Sequence, residues 1–230
     1  MKQHDIRPFQ DRRDAGRQLA VKLLECRFEN PVVLGIPRGG VIVSIEVASR
    51  LGAEHGVVVA RKLCAPYQPE LAIGAITANG ISYVDEALAS DVGADDRYLA
   101  QEMARQAERA SRYEESFDSH IRPPVVDRDV IIVDDGAATG ATAIAAIRAM
   151  RAEGARKVIF AVPVGPPRTI YLLLQEADEV ICLREDEGFF AVGQFYFNFL
   201  PVEDGQVKQA LHNLITESAR QDQDRTPQRS

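Results

Sequence analysis

Residues 130–142 read V-I-I-V-D-D-G-A-A-T-G-A-T, and this string constrains the fold more than any other part of the chain. Four consecutive β-branched residues without polar alternation predict a strand buried on both faces, as in parallel sheets. Gly136, Ala137, Ala138 and Gly140 then strip side chains from a turn, which lets the backbone approach a ligand closely. A helix is expected to begin near Gly140, with Thr139 and Thr142 at its mouth. Its unpaired N–H groups and positive dipole end suit a phosphate. Asp134 and Asp135 stand one step earlier, placed to accept hydrogen bonds from sugar hydroxyls or to face a hydrated cation. A phosphate beside a polyol is the chemistry of a ribose 5-phosphate group.

The rest of the chain supplies a sheet for that strand. Residues 32–36, 56–60, 157–162 and 179–183 read as further buried strands, and residues 41–51 and 169–175 as helices between them. Strands alternating with helices imply βαβ units and a mainly parallel sheet. Residues 11–28 carry Leu19, Ala20, Leu23, Leu24 and Phe28 on one helical stripe, with Asp11 or Asp14 as the cap. Residues 62–95 interrupt the alternation and are too long for a plain loop. Within them, residues 71–77 and 81–84 flank Asn79–Gly80, a hairpin signal. Residues 96–117 predict a long helix with Leu99, Met103, Ala107, Ala110, Tyr113 and Phe117 inward. Its other face, with Glu102, Arg105, Glu108, Arg109 and Arg112, reads as solvated. Asp204 is expected to cap a last helix that turns Val207, Ala210, Leu211, Leu214 and Ile215 inward, with disorder from about Ser218.

A length of 230 residues allows a large core, and the formal charge of −7 argues against a general nucleic-acid binder. Cys26, Cys64 and Cys182 are scattered and odd in number, which fits a reducing compartment. Cys64 follows two cations, but no base stands near it in sequence, and it reads as a loop cysteine. His4, His55, His120 and His212 share no metal-ligand spacing. Without a leader-like start or a long apolar run, the expectation is a cytoplasmic protein with no membrane contact.

The 130–142 string resembles the phosphoribosyl pyrophosphate (PRPP) motif of type I phosphoribosyltransferases. Two further motifs agree in order. G-I-P-R-G-G, residues 35–40, resembles the pyrophosphate loop after the first core strand. A-R-K, residues 60–62, resembles the Arg-Lys pair after the second. The whole chain is similar to a bacterial group of such proteins with unassigned acceptor. The resemblance implies an α/β fold with a twisted parallel sheet flanked by helices, plus a hood subdomain. It spans a core at about residues 31–183 within a single domain over residues 1–217. The hood would come from residues 184–203, the 62–95 insertion, or both, with residues 218–230 as a disordered tail.

Function follows from the same resemblance. Ribose 5-phosphate would pass from PRPP to a purine or pyrimidine base with release of pyrophosphate, through a transition state of oxocarbenium character. Arg38, Arg61, Lys62 and Mg²⁺ would stabilise the leaving group, with Gly39 and Gly40 offering backbone N–H groups to the same anion. Asp134 and Asp135 would hold the ribose hydroxyls and face the metal. Gly136, Ala137, Ala138, Thr139, Gly140 and Thr142 would anchor the 5-phosphate, and residues 62–77 would act as a lid. Six of fifteen Phe and Tyr residues fall between Phe189 and Phe199. Phe189, Phe190, Phe195 and Tyr196 are the candidates to stack on the base, with Phe195, Phe197 and Phe199 alternating as on a strand. Ala138 stands where hypoxanthine–guanine enzymes carry a carboxylate, which weakens a 6-oxopurine assignment. A non-catalytic PRPP-binding regulator on the same fold is the alternative. A homodimer is left open.

Overall fold

The computed structural model describes residues 7–117 and 122–225, so His4 and His120 lie outside it. Five strands form the main sheet: β1 (Val32–Gly35), β2 (Glu54–Val57), β6 (Asp129–Val133), β7 (Lys157–Gly165) and β8 (Glu179–Glu185). Their spatial order is β2-β1-β6-β7-β8, and every pairing is parallel. Each strand is followed or preceded by a helix because its apolar side chains face both ways. Val33, Ile131, Val133, Ile159 and Ala161 point to one layer, where they meet α1 (Arg12–Leu23) and α2 (Gly39–Leu51) through Leu19, Leu23, Val43 and Val47. Val32, Leu34, Val130, Ile132, Val158 and Phe160 point to the other. There they meet α5 (Ala141–Ala152) and α6 (Pro167–Leu174) through Ile144, Ile147, Ile170 and Leu173. The expected α/β architecture is therefore present.

Chain direction reverses its lateral course at β1. From there α2 leads outward to β2, while β6 lies on the opposite side. Gly35 stands level with Val133 in the β1–β6 register, so the loops leaving both strands start from the same rung. A switch point of this kind opens a crevice at the carboxyl ends of the strands.

Residues 60–84 form a second sheet, β3 (Ala60–Ala65), β4 (Gln68–Thr77) and β5 (Ser82–Val84), antiparallel in the order β3-β4-β5. The expected hairpin is there, with its turn at Asn79–Gly80 and Gly80 at φ +83°. This sheet is packed on both sides. Ala75 meets Ala141 and Ala145 at the start of α5. Leu63 and Ile73 join Leu99 and Met103 of α4 (Asp96–Glu115). A short α3 (Glu86–Asp91), capped by the Asp85 side chain, connects the two. Asp11 caps α1 by accepting from the Asp14 N–H, as one of the two candidate caps. No described helix is long and apolar enough to cross a membrane.

Several expectations are corrected. Arg61 and Lys62 do not end the second core strand, because β2 stops at Val57 and both residues open β3 in the other sheet. Glu102 is not solvated but 2% exposed, with Arg105 and Gln106 side chains and the Cys64 N–H donating to it. A buried carboxylate is tolerated when donors saturate it, and a charge pattern on paper does not show that. Cys64 therefore sits on a strand, its thiol pushed up by burial and by the Glu102 charge. Asp204 is the first residue of α7 (Asp204–Arg225) rather than a residue preceding it, and the helix continues past Ser218. Phe195, Phe197 and Phe199 do not share a strand face. Phe195 ends a 3₁₀ turn (Val192–Phe195) and is 8% exposed, whereas Phe197 is 80% exposed.

Candidate functional site

The loops that leave β1 and β6 touch. Gly39 and Gly40 open α2, and they do so directly against the acidic pair. A Cβ on Gly40 would lie 2.7 Å from the Val133 carbonyl oxygen and 2.8 Å from Asp134 Cα. A Cβ on Gly39 would collide with the Asp135 carboxylate and come within 2.7 Å of Arg12 Nε. Only glycine permits this approach, so the two motifs are parts of one surface. The α2 N-terminus thus abuts the acidic pair, and α5 begins beyond the next loop on the other face of the sheet; neither helix start has a side-chain cap from its N-cap residue.

Residues 136–142 form the expected strand–turn–helix. Ala137 is pinned by its N–H to the Val164 carbonyl at 2.9 Å, and Ala138 accepts from Thr169 Oγ1 at 2.6 Å. Gly140 precedes α5 at φ +79°, a left-handed conformation that glycine adopts without strain. Ala138 and Thr139 are exposed and Thr142 is half-buried, whereas Gly136, Ala137 and Gly140 are buried. The result is an open mouth on a fixed floor. Thr169 was not anticipated as part of this floor. Its place at the start of α6 carried no motif.

Asp134 Oδ1 accepts from the Asp135 N–H at 2.8 Å, and Asp135 Oδ2 accepts from Arg12 Nε–H at 2.7 Å. Burial pushes the Asp134 carboxyl well above the ordinary range, and the neighbouring Asp135 charge adds to the rise. Asp135 is raised by burial too, with Arg12 holding it back. Arg12 is the residue that sequence reasoning missed. Its only signal was an Arg-Arg step in the first turn of α1, which looks the same as a solvated helix start. No group of three or more His, Cys, Asp or Glu side chains suited to a metal occurs among the described residues. Asp134 and Asp135 supply two carboxylates, one already paired with Arg12, so a divalent cation held here would take its remaining ligands from a bound substrate and water.

The cationic residues are placed differently from one another. Arg38 immediately precedes α2, is joined to Pro37 by a cis peptide bond, and has its Nη1 3.9 Å from Asp204 of α7. Arg61 lies 6.0 Å from the Tyr113 ring centroid, and the Tyr113 hydroxyl donates to Asp204 at 2.7 Å. Arg38 and Arg61 therefore share one neighbourhood, around Tyr113 and Asp204. Burial and the Asp204 carboxylate together raise the Tyr113 hydroxyl pKa. Lys62 is exposed on β3.

The aromatic segment covers the acidic pair from the other side. Phe9 and Tyr196 are bridged, with Phe9 N–H donating to Phe195 O at 2.8 Å and Phe197 N–H to Phe9 O at 2.7 Å. The Tyr196 hydroxyl donates to the Asp135 carbonyl at 2.6 Å, and Val192 packs over Gly136. Phe195 and Tyr196 are buried, stacked or tilted against Phe189, Phe9 and Phe199, so their rings belong to the cover itself. Phe190 is 94% exposed and Phe189 half-buried. Of the four hood candidates, Phe190 is the one whose faces are open.

Comparison with known proteins agrees with this geometry. The family described as the phosphoribosyl transferase domain matches residues 4–197. Proteins from two strains of Mycobacterium tuberculosis, provisionally named phosphoribosyl transferases, are 45% identical over 203 residues. That alignment covers 86% of this chain and 45% of each relative, so the chain spans about half their length. The crystal structure of TT1426 from Thermus thermophilus is 41% identical, covers 90% of this chain and 99% of its own, and superposes with a TM-score of 0.77. With the two glycine-loop motifs joined at one switch point and a family match across most of its length, the chain belongs to the phosphoribosyl transferase domain family.

Proposed function

We propose that the protein transfers ribose 5-phosphate from PRPP to a nitrogenous base and releases pyrophosphate. The observation that carries this is the contact of the P-R-G-G loop with the acidic pair, which joins the start of α2 to the strand end that leads into the 136–142 loop. The 136–142 loop would hold the 5-phosphate through backbone N–H groups, each worth about 1.5–3 kcal/mol to a charged acceptor. The α2 N-terminus and Arg38 would take the pyrophosphate, with Arg61 and Lys62 approaching from β3. Mg²⁺ enters this scheme with the pyrophosphoryl group, as part of the substrate, and neutralises it. The protein's share is orientation and exclusion of water by the aromatic cover. Phe190 would offer its face to the acceptor.

One observation favours the second reading, a PRPP-binding regulator without transfer activity. Arg38 and Arg61 gather around Asp204 and Tyr113. A single set of measurements separates the two. PRPP with Mg²⁺ should raise the melting temperature by mass action, and the double change Asp134→Asn, Asp135→Asn should remove that rise. Pyrophosphate release is then followed across purine and pyrimidine bases. Release with any base establishes transfer. A thermal shift with silence for every base selects the regulator. No shift at millimolar PRPP defeats both.

A further inference from the structure

The turn between β6 and α5 offers few donors to an anion, and the direction of one of them is set from outside the motif. Ala137 is spent on the fold, since its N–H bonds the Val164 carbonyl at 2.9 Å. The Gly140 carbonyl is taken by the Ile144 N–H at 2.8 Å. The N–H groups of Ala138, Thr139 and Gly140 have no backbone partner among the described residues. One carbonyl stands among them, that of Ala138. Turned into the mouth, its oxygen would oppose any anion that the N–H groups attract. Thr169 Oγ1 draws this oxygen away at 2.6 Å, from the first turn of α6. A threonine hydroxyl within a helix commonly returns to a carbonyl of its own preceding turn. This one reaches across 31 positions of sequence instead. Thr169 is 4% exposed, and its Cγ2 methyl would lie 3.1 Å from a Cβ on Gly140, so the side chain clasps the turn at residues 138 and 140 together. The Ala138–Thr139 peptide is trans and planar, so its N–H points opposite to its C=O. With the oxygen held toward α6, the Thr139 N–H faces the open mouth, where Ala138 and Thr139 are exposed.

We propose that Thr169 aims the phosphate-binding turn: its hydroxyl fixes the Ala138–Thr139 peptide with the N–H toward the 5-phosphate and the carbonyl away from it. The proposal rests on the reading of residues 134–142 as a sugar-phosphate cradle, and it adds to that cradle a residue from the helix after the next strand. Thr169 does not touch the ligand. It is a positioning residue that acts through one peptide group. Rotation of that peptide would exchange a donor for an acceptor at the same spot, and the hydroxyl opposes the rotation. The loop assigned to pyrophosphate, residues 37–40, leaves β1 rather than β6, so the effect of Thr169 is confined to the phosphate end of the substrate.

The test uses the full chain with Thr169→Val, which keeps the side-chain shape and removes the hydroxyl, and Thr169→Ser, which keeps the hydroxyl. Binding of ribose 5-phosphate and of pyrophosphate with Mg²⁺ is read by calorimetry, and the amide signals of residues 136–142 by heteronuclear NMR. Thr169→Val should weaken ribose 5-phosphate about tenfold while pyrophosphate stays within about twofold of the wild type. Thr169→Ser should bring ribose 5-phosphate back to within about threefold. In the wild type the Thr139 amide should move downfield as ribose 5-phosphate is added, and in Thr169→Val that movement should shrink. Equal ribose 5-phosphate affinity in Thr169→Val and the wild type overturns the proposal. Equal weakening of both ligands overturns it too, because a merely structural loss would act on both. If Thr169→Val does not fold, the wild-type titration decides: a Thr139 amide that stays put while its neighbours move overturns the proposal, and a downfield Thr139 amide upholds it. Wild-type protein whose 136–142 amides ignore ribose 5-phosphate, and whose melting temperature ignores PRPP, defeats the cradle reading itself. That outcome differs from normal wild-type binding that Thr169→Val leaves unchanged.

Discussion

The cradle at residues 134–142 is written in one contiguous string, whereas the cover beside it is assembled from residues 7–12 and 189–200, near opposite ends of the chain. Strand, turn and helix of the cradle follow from neighbours in sequence. The cover depends on pairings such as Phe9 with Tyr196 and Arg12 with Asp135. The two regions meet at the acidic pair, where Asp135 gives its carboxylate to α1 and its carbonyl to the aromatic segment. Local chemistry thus sets what the cradle can bind, and long-range packing sets how firmly it is held.

The largest expected effect tests the cover. Phe9 is fully buried against Tyr196, and Arg184 lies 3.8 Å over its ring. Phe9→Ala should cost about 3–5 kcal/mol and lower the melting temperature by roughly 10 °C in a chain of this size. A loss below about 1 kcal/mol would mean that the cover is not part of the cooperative unit. Next is the cradle. Gly40→Ala puts a methyl group against the Val133 carbonyl and Asp134 backbone, at a cost of about 1–3 kcal/mol. Its ligand-induced thermal shift should vanish while Phe9→Ala keeps part of its own. The reverse order would dissolve the distinction between the two regions.

The effect that is smallest at neutral pH concerns the layer under the cradle. His55 of β2 faces Ser44 of α2 at 2.7 Å, and its Nδ1 is buried without a partner among the described residues. Burial lowers its pKa from 6.5 to about 3. The unfolded chain therefore takes up the proton first. His55's contribution is intact above pH 6.5 and declines by up to about 1.4 kcal/mol per pH unit as the pH falls from 6.5 towards 3. Denaturant titrations of wild type and His55→Gln should differ in slope over that window. Parallel curves would show that the imidazole takes up its proton in the fold as readily as in the unfolded chain.

What could be read in advance follows the same divide. The β-branched runs, the Asp11 cap, the Asn79–Gly80 turn and the T-G-x-T helix start are local signals, and each appears in place. Arg12 was unreadable because its carboxylate partner lies 123 positions away. Glu102 looked solvated since charge alone does not reveal donors arriving from the Cys64 backbone. The A-R-K step was misplaced because two polar-flanked strands in succession, β2 and β3, merge into one apolar run on paper. Phe195 and Phe197 were given one face by an alternation rule that a 3₁₀ turn breaks.

The pairing of Phe9 with residues 195–197 has a consequence for biosynthesis. Translation delivers Phe9 and Arg12 long before residues 195–200, which they contact. A nascent chain can complete β1, β6 and both glycine loops while Phe9 still lacks its aromatic neighbours. Ligand-ready backbone would then exist on the ribosome before anything shields it from water, and the emergence of residues 189–200 from the tunnel would set the moment of closure.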